Sequence, residues 1–344
     1  MQAVILVGGE GTRLRPLTYD LPKPMVPIFG RPYLEHLIEL LKKHNIFEII
    51  LSSGYKVEEI EQYFKNGSQF GVKIFYAVET TPLGTAGAIK NAEKFIKDTF
   101  LVFNGDIMTD IDLTAFLRMH KKYAGLGTLS LYSVEDPSAF GLIETDINGR
   151  ITAFIEKPKP EDITTNYINA GVYILEKKIL EFIPEKINCS IERKIYPELL
   201  KSNYALYSFK FDTYWIDIGS PQKYMKVHTD AINKKYELIF NKKEHAGIYM
   251  GNNISLNGAK IMPPVFLDDN FSAGNNVILG PMAIIGKNCA IKDNITIKDS
   301  LIWENTNIDN GSKIINSIIG RNCNIKRNST IENQVIGSYE EIKN

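Results

Sequence analysis

The chain has 344 residues, enough for one large domain and a smaller one. Hydrophobic residues make up 44% and charged residues 23%, with 40 basic side chains against 40 acidic ones, so net charge gives no pull towards a nucleic acid. No apolar run reaches the roughly 18 residues of a membrane span, and the apolar N-terminal stretch is too short, and lacks the basic lead, for a secretory signal. Three cysteines, few and odd in number, fit a reducing cytoplasm.

The first apolar run, AVILV at 3–7, reads as a strand. It enters Gly8-Gly9-Glu10-Gly11-Thr12-Arg13-Leu14-Arg15, where glycines let backbone N–H groups approach an anion, Thr12 offers a hydroxyl, and Arg13 and Arg15 offer charge. The loop lacks the GK[ST] of a P-loop and the full spacing of a dinucleotide fingerprint. Pro22-Lys23-Pro24 follows, with a lysine whose backbone the prolines restrict.

Further on, EIILS (48–52), VKIFYA (72–77) and FLVFNG (100–105) read as strands, and Tyr33–His44, Val57–Phe64, Thr85–Lys97 and Leu113–Tyr123 carry helical spacing. This alternation predicts a mainly parallel sheet covered on both faces, with 128–134, 140–145, 150–155, 168–175, 204–209 and 213–218 as added strands, some antiparallel. Asp106 closes a buried strand where open α/β sheets bind ligands, and is either an oxygen ligand for a divalent cation or a turn residue. Asp217 in Trp215-Ile216-Asp217-Ile218-Gly219-Ser220 has the same two readings, as ligand or helix cap, while Asp110 and Asp112 read as caps of the next helix.

The stretch 231–247 is charged and helix-like, and the domain boundary falls within 231–250, giving domains 1–235 and 236–344. Beyond it apolar residues recur every six positions: Val265, Phe271, Val277; Ile285, Ile291, Ile297; Ile302, Ile308, Ile314; Ile319, Ile325, Ile331. Asn288, Asn305 and Asn322 keep the same register, as do Asn294, Gly311 and Asn328, and these residue types tolerate the left-handed backbone of a sharp corner. One inward aliphatic residue per short strand and three strands per turn predict a triangular β-solenoid that resembles left-handed, hexapeptide-repeat β-helices. Cys289 and Cys323 fall at equivalent positions two coils apart, about 9–10 Å at the usual strand spacing, which predicts free thiols.

The loop G-G-x-G-T-R-L-R-P-L-T followed by P-K-P-x-x-P resembles the signature of the sugar-1-phosphate nucleotidyltransferases over residues 1 to about 230. The resemblance implies a Rossmann-like α/β catalytic domain, a triphosphate gripped by Gly8, Gly9, Gly11 and Thr12, and Arg13 and Lys23 stabilising the α-phosphate and departing pyrophosphate. It implies Mg2+ held by Asp106 and Asp217. On the sugar side, Phe140-Gly141, Glu156-Lys157-Pro158 and Asn169-Ala170-Gly171 match the family's F-G, E-K-P and N-A-G elements. Gly141, Glu156 and Asn169 would face the sugar and Lys157 its phosphate.

Glu79-Thr80-Thr81-Pro82-Leu83-Gly84-Thr85 stands where the family reads the nucleobase, so Glu79, Pro82, Gly84 and Thr85 are the expected base-side contacts. A carboxylate matches the adjacent N1–H and N2–H donors of guanine, whereas the thymidylyl- and uridylyltransferases carry Gln there. The motif also resembles mannose-1-phosphate guanylyltransferases, which implies GTP and mannose 1-phosphate as substrates, with a glucose-1-phosphate thymidylyl- or uridylyltransferase as the alternative. The expected partners are these substrates and further copies of the chain through the β-helix, with no membrane and no nucleic acid, in the cytoplasm. Two other readings are weaker. A solenoid acyltransferase would use a histidine within its coils, and all five histidines precede the repeats; a non-catalytic relative would have lost Arg13, Lys23, Asp106 or Asp217.

Overall fold

A computed structural model describes residues 1–238 and 242–343. Its two compact units are not consecutive stretches: Met1–Gly9 groups with Leu37–Asp217, and Glu10–His36 groups with the chain from Ile218 onward.

In the first unit, Lys73–Val78, Glu48–Ser53, Gln2–Leu6 and Phe100–Asn104 lie side by side in that order, all parallel. Tyr167–Leu175 continues the sheet antiparallel to Phe100–Asn104 and leads to the hairpin Gly141–Thr145 and Ile151–Glu156. Gly127–Ser133 also pairs with Tyr167–Leu175, and Leu206–Phe211 runs parallel beyond it. The Rossmann-like parallel core with antiparallel additions is the expected one. Its strands are apolar on both faces because both are covered: Val4, Ile50 and Val102 on one face are fully buried in one core with Ile89 of the helix Gly84–Asn91, and Ile5, Leu51 and Phe103 on the other face are fully buried too. The helix expected over 85–97 is two pieces, Gly84–Asn91 and a 3-10 turn at Glu93–Phe95.

Asp112 caps Leu113–Tyr123 as expected, accepting from the amides of Thr114 at 2.9 Å and Ala115 at 3.0 Å. Asp110 does not share that role. Its carboxylate accepts the amide of Tyr214 at 2.7 Å and so fastens the segment leading to Asp217.

In the second unit three parallel sheets stack the coils, with strands of two or three residues, and the chain builds the left-handed β-helix its repeats predict. Ile285, Ile302, Ile319 and Ile336 form one ladder, and Ile291, Ile308 and Ile325 another. The first predicted triplet is out of register by two residues: Leu267, Ala273 and Leu279 are the partners of Ile285, Ile291 and Ile297. Val265, Phe271 and Val277 are buried all the same, because each face has a second inward position. The next coil fills it with Ala283, Cys289 and Ile295 and later ones with Ser300, Thr306, Ser312, Ser317, Cys323 and Ser329, and the Thr306 hydroxyl donates to the carbonyl of Gly320 while accepting the amide of Cys323. Buried hydroxyls thus satisfy corner backbone that the short strands leave unpaired. The corner asparagines have φ near 58°, and side chain to side chain along the stack Asn253 donates to Asn270, Asn270 to Asn288 and Asn288 to Asn305, each at 2.9 Å. All three cysteines are free and buried.

Among the described residues of 231–247, only Ala231 and Ile232 are helical. The helix is Pro221–Ile232, capped by Ser220, and it stops at Asn233 with Lys234 left-handed at φ 59; Lys243–His245 and Ile248–Met250 then form a hairpin. Residues 239–241 of the expected boundary region lie outside the described residues.

Segment 10–36 belongs to this unit by its contacts. Phe29 packs on Phe266, ring centroids 5.1 Å apart, and Tyr224 donates to the carbonyl of Pro27 while accepting Trp303 Nε1 at 3.0 Å. Asp20 pairs with Arg321 at 2.9 Å. Buried His36 and His228 bracket the turn at 27–32, one contacting the carbonyl of Ile28 at 3.0 Å and the other the amide of Phe29 at 3.4 Å. Burial above all lowers their pKa values to about 3 and about 4. Both are therefore neutral when folded and take up protons when unfolded below about pH 6.5. Stability of this unit should be flat above that pH and fall steadily towards pH 4, by up to about 3 kcal/mol for His228. Chemical denaturation across this range should show a shallower slope in His228→Gln, and an unchanged slope would refute the assignment.

Candidate functional site

The glycine loop starts at the carboxyl end of the central strand. Val7 donates to the carbonyl of Ser52 at 2.8 Å, and the Gly105 amide to that of Leu6 at 2.9 Å. A Cβ on Gly105 would lie 2.1 Å from the Leu6 oxygen, so only glycine permits this junction. It sets Asp106 beside the end of the first strand. Ile107–Thr109 then pairs antiparallel with Trp215–Asp217, with Ile107 opposite Asp217, which brings Asp106 and Asp217 together from positions 111 residues apart in sequence. Ser220, not Asp217, caps the following helix, and Asp217 stays buried on its strand.

Two buried polar atoms at the carboxyl ends of the parallel strands that flank Gln2–Leu6 have no hydrogen-bond partner, Ser53 Oγ and Asn104 Oδ1. Such atoms are costly unless something polar binds there. Two carboxylates plus the Asn104 oxygen suit a hard cation such as Mg2+, which takes one or two carboxylates and completes its shell with phosphate and water. Among the described residues no group of three His, Cys, Asp or Glu forms a closed all-protein metal site.

Glu79, expected on the base side, follows the strand Lys73–Val78. Its Oε1 accepts the Ser52 hydroxyl at 3.2 Å, its Oε2 the Leu83 amide at 3.1 Å, and a Cβ on Gly8 would lie 3.2 Å from Oε1. The carboxylate is therefore oriented before any ligand arrives. Pro82 accepts Asn188 Nδ2 at 2.8 Å through its carbonyl. A Cβ on Gly84 would meet the Cys189 carbonyl at 2.7 Å. The Thr85 hydroxyl donates to Glu192 at 2.6 Å and accepts the Ile191 amide at 2.9 Å. Pro82, Gly84 and Thr85 thus clasp the segment 188–192.

Of the residues expected to face the sugar, Gly141 pairs with Glu156 across the hairpin, where a Cβ would come within 2.7 Å of Glu156 Oε2. Burial, then the charge of Glu192, holds the Glu156 carboxyl above the usual range, with Arg193 and Lys157 opposing. Lys157 follows in a left-handed conformation at φ 53. Asn169 donates to the Tyr173 hydroxyl at 2.7 Å and accepts the Gly171 amide at 3.1 Å. Trp215, two residues before Asp217, donates to the Ala170 carbonyl at 2.9 Å and packs edge-on against Phe140, so the W-x-D, N-A-G and F-G elements share one wall.

In the second unit, Gly11 is left-handed at φ 65, and a Cβ there would lie 3.2 Å from Lys23 Cβ, so the loop and the lysine between prolines are neighbours. The Thr18 hydroxyl donates to the Gly11 carbonyl at 2.8 Å. Thr12 and Arg13 open the 3-10 turn Thr12–Leu14 and are exposed, while Arg15 pairs with Glu10 at 3.2 Å.

Residues 2–234 match the family described as Nucleotidyl transferase. The chain belongs to the nucleotidyl transferase family. Residues 245–342 match the EIF2B subunit epsilon LbH domain. This nucleotidyltransferase is 32% identical to a UTP--glucose-1-phosphate uridylyltransferase from Synechocystis sp., over 92% of this chain and 86% of that one. It is 38% identical to a mannose-1-phosphate guanylyltransferase from Mycobacterium tuberculosis, over 82% and 77%. A crystal structure of HddC from Yersinia pseudotuberculosis complexed with GMP-PN is 35% identical, with a TM-score of 0.58, covering 67% of this chain and 98% of that one. No described helix is long and apolar enough to cross a membrane.

Glu192, Tyr173 and Arg193 lie outside the motifs that the sequence offers. A weak signal existed: Ser190 caps a helical run with Ile191, Ile195 and Leu199 at i, i+4 spacing, opening as a π-helix at Ile191–Ile195.

The glycines separate into two kinds. Gly105 is required by packing, whereas a Cβ on Gly9 would meet nothing within 4 Å. Gly105→Ala should cost about 1–3 kcal/mol in denaturant unfolding, and Gly9→Ala less than about 0.5 kcal/mol. Equal costs would refute the distinction.

Proposed function

We propose that this nucleotidyltransferase joins GTP to mannose 1-phosphate, giving the nucleotide sugar and pyrophosphate. The observation that carries the choice of base is the Glu79 carboxylate, held by Ser52 and Leu83 beside Gly8. Each of its oxygens keeps a lone pair for the paired N–H donors of guanine. Opposite the carbonyls of uracil or thymine the same charge would be unpaired. The Mycobacterium tuberculosis relative supports the sugar by its name.

An oxygen of the sugar phosphate attacks the α-phosphorus in line, the bond from that phosphorus to the bridging oxygen breaks, and pyrophosphate leaves with the electron pair. The nucleophile is already an anion at neutral pH, so positioning and charge neutralisation suffice. Gly8, Gly9, Gly11 and Thr12 hold the triphosphate, Arg13 and Lys23 offset charge on the α-phosphate and the leaving group, and Lys157 holds the attacking phosphate. Gly141, Glu156 and Asn169 take the sugar. Mg2+ on Asp106 and Asp217 would supply further neutralisation of phosphate charge. The reading includes a cytoplasmic enzyme that self-associates through its coils. A second reading, UTP with glucose 1-phosphate, is favoured by the Synechocystis relative, which matches the longer stretch of this chain.

Pyrophosphate release measured with GTP, UTP, dTTP, CTP and ATP against mannose and glucose 1-phosphate should be largest for GTP with mannose 1-phosphate and should require Mg2+. Arg13→Ala and Asp106→Ala should each lower kcat about a hundredfold or more. Glu79→Gln should move preference from GTP towards UTP by about tenfold or more. Release with UTP alone would replace this reading by the second, and release with no pair would end both. Because the Glu156 carboxyl titrates above the ordinary glutamate range and must be ionised to accept sugar hydroxyls, kcat/KM for the sugar phosphate should fall on acidification at a correspondingly higher pH. An acid limb at or below the ordinary value would count against that role.

A further inference from the structure

Glu192 lies outside every motif used above, yet three hydroxyl groups meet on its carboxylate. Its Oε2 accepts the hydroxyls of Thr85 at 2.6 Å and Ser190 at 2.7 Å, and its Oε1 accepts the Tyr173 hydroxyl at 3.4 Å. Both sides of the proposed chemistry meet there. On the base side, Thr85 sits two residues beyond Leu83, whose amide holds Glu79, and the Leu83 carbonyl accepts the Cys189 amide at 2.8 Å. On the sugar side, the buried Tyr173 hydroxyl that donates to Glu192 accepts from Asn169 at 2.7 Å. Arg193 Nη2, on the next residue, lies 4.0 Å from Glu156 Oε1.

These contacts are long-range, with 107 residues separating Thr85 from Glu192. A half-buried carboxylate receiving three hydroxyls has one fully satisfied arrangement, and rotating any donor away leaves part of its charge without a partner. Glu192 sits in the π-helical turn Ile191–Ile195 that precedes the helix Tyr196–Lys201, and such turns are frequent at functional sites.

We infer that Glu192 is a positioning residue that couples the nucleobase loop to the sugar pocket, through Thr85 on one side and Tyr173 with Asn169 on the other. The inference rests on the assignment of Glu79 to the base and Asn169 to the sugar. Occupation of one side then orders the other, and the loss of Glu192 uncouples them while each side keeps its own contacts.

The test is a set of KM and kcat values for both substrates, using whichever pair the wild-type enzyme turns over. Thr85→Val and Tyr173→Phe are each made alone and in a Glu192→Gln background. Thr85→Val should raise KM for the sugar phosphate about fivefold or more, and Tyr173→Phe should do the same for the nucleotide. In the Glu192→Gln background both cross-effects should shrink to less than about twofold. Thr85→Ser, which keeps the hydroxyl, should restore wild-type values, and Thr85→Ala serves as the second deletion if the valine variant does not fold. Cross-effects that are absent with wild-type Glu192, or that persist undiminished in Glu192→Gln, overturn the coupling. An active wild-type enzyme with either result defeats this inference alone, whereas a wild-type chain inactive with every pair defeats the functional reading and this inference together.

Discussion

The hydrogen bond from the Gly105 amide to the Leu6 carbonyl, possible only where no Cβ intervenes, is the constraint on which the chemistry of the first unit depends. It joins the end of the first strand to the Asn-Gly-Asp turn, so Asp106 emerges beside the start of the glycine loop. The chain leaving that turn forms the short strand that pairs with Trp215–Asp217, which delivers the second carboxylate. Trp215 then carries the geometry onward, bonding to Ala170 and packing on Phe140. Acid pair and sugar wall therefore inherit their positions from one backbone contact, and the Asp110–Tyr214 bond reinforces the same pairing from its other end.

The second unit is organised by a different economy. Strands of two or three residues cannot satisfy their own corners, so the corners are built from asparagines in left-handed backbone, stacked amide to amide, and from buried hydroxyls that accept and donate to the next coil. Segment 10–36 packs against this regular surface through Asp20, Phe29 and the Tyr224–Trp303 pair. The coil residues that meet it are the exceptions to the repeat: Phe266, Trp303 and Arg321 are large or charged where the inward ladders are small and aliphatic.

Much of this was legible because it is local or periodic. The six-residue spacing predicted the solenoid, the repeated Asn and Gly predicted its corners, and the equivalence of Cys289 with Cys323 predicted free thiols. The first triplet slipped by two residues because Val265, Phe271 and Val277 fill the second inward position with aliphatic or aromatic groups, while the coils from Ser300 onward put Ser, Thr or Cys there. The stretch 231–247 carried helical composition, but Lys234 is left-handed and composition does not report that. Asp110 and Thr85 are the instructive pair. Each sits in a motif whose local reading is plausible, a cap and a nucleotide contact, and each spends its side chain on a partner more than a hundred residues away. Glu192 escaped for the same reason: its partners are defined by the folded sheet and by no spacing in the chain.

The histidines argue independently for chemistry by charge and position. His36 and His228 are buried, held neutral and used to fix a turn. His120 lies between the Thr128 hydroxyl at 2.8 Å and Glu176 at 2.9 Å, on the helix Leu113–Tyr123, and His44 contacts Thr114 at 2.8 Å. His245 is exposed on the hairpin that leads into the coils, outside the repeating ladders. A solenoid acyltransferase needs a base to deprotonate a neutral nucleophile, and no histidine stands within those ladders to supply one. A phosphate nucleophile arrives already ionised. It asks instead for cations, for carboxylates able to hold a metal, and for glycines that let the backbone close in, and these are the residue types gathered at the strand ends and in the glycine loop.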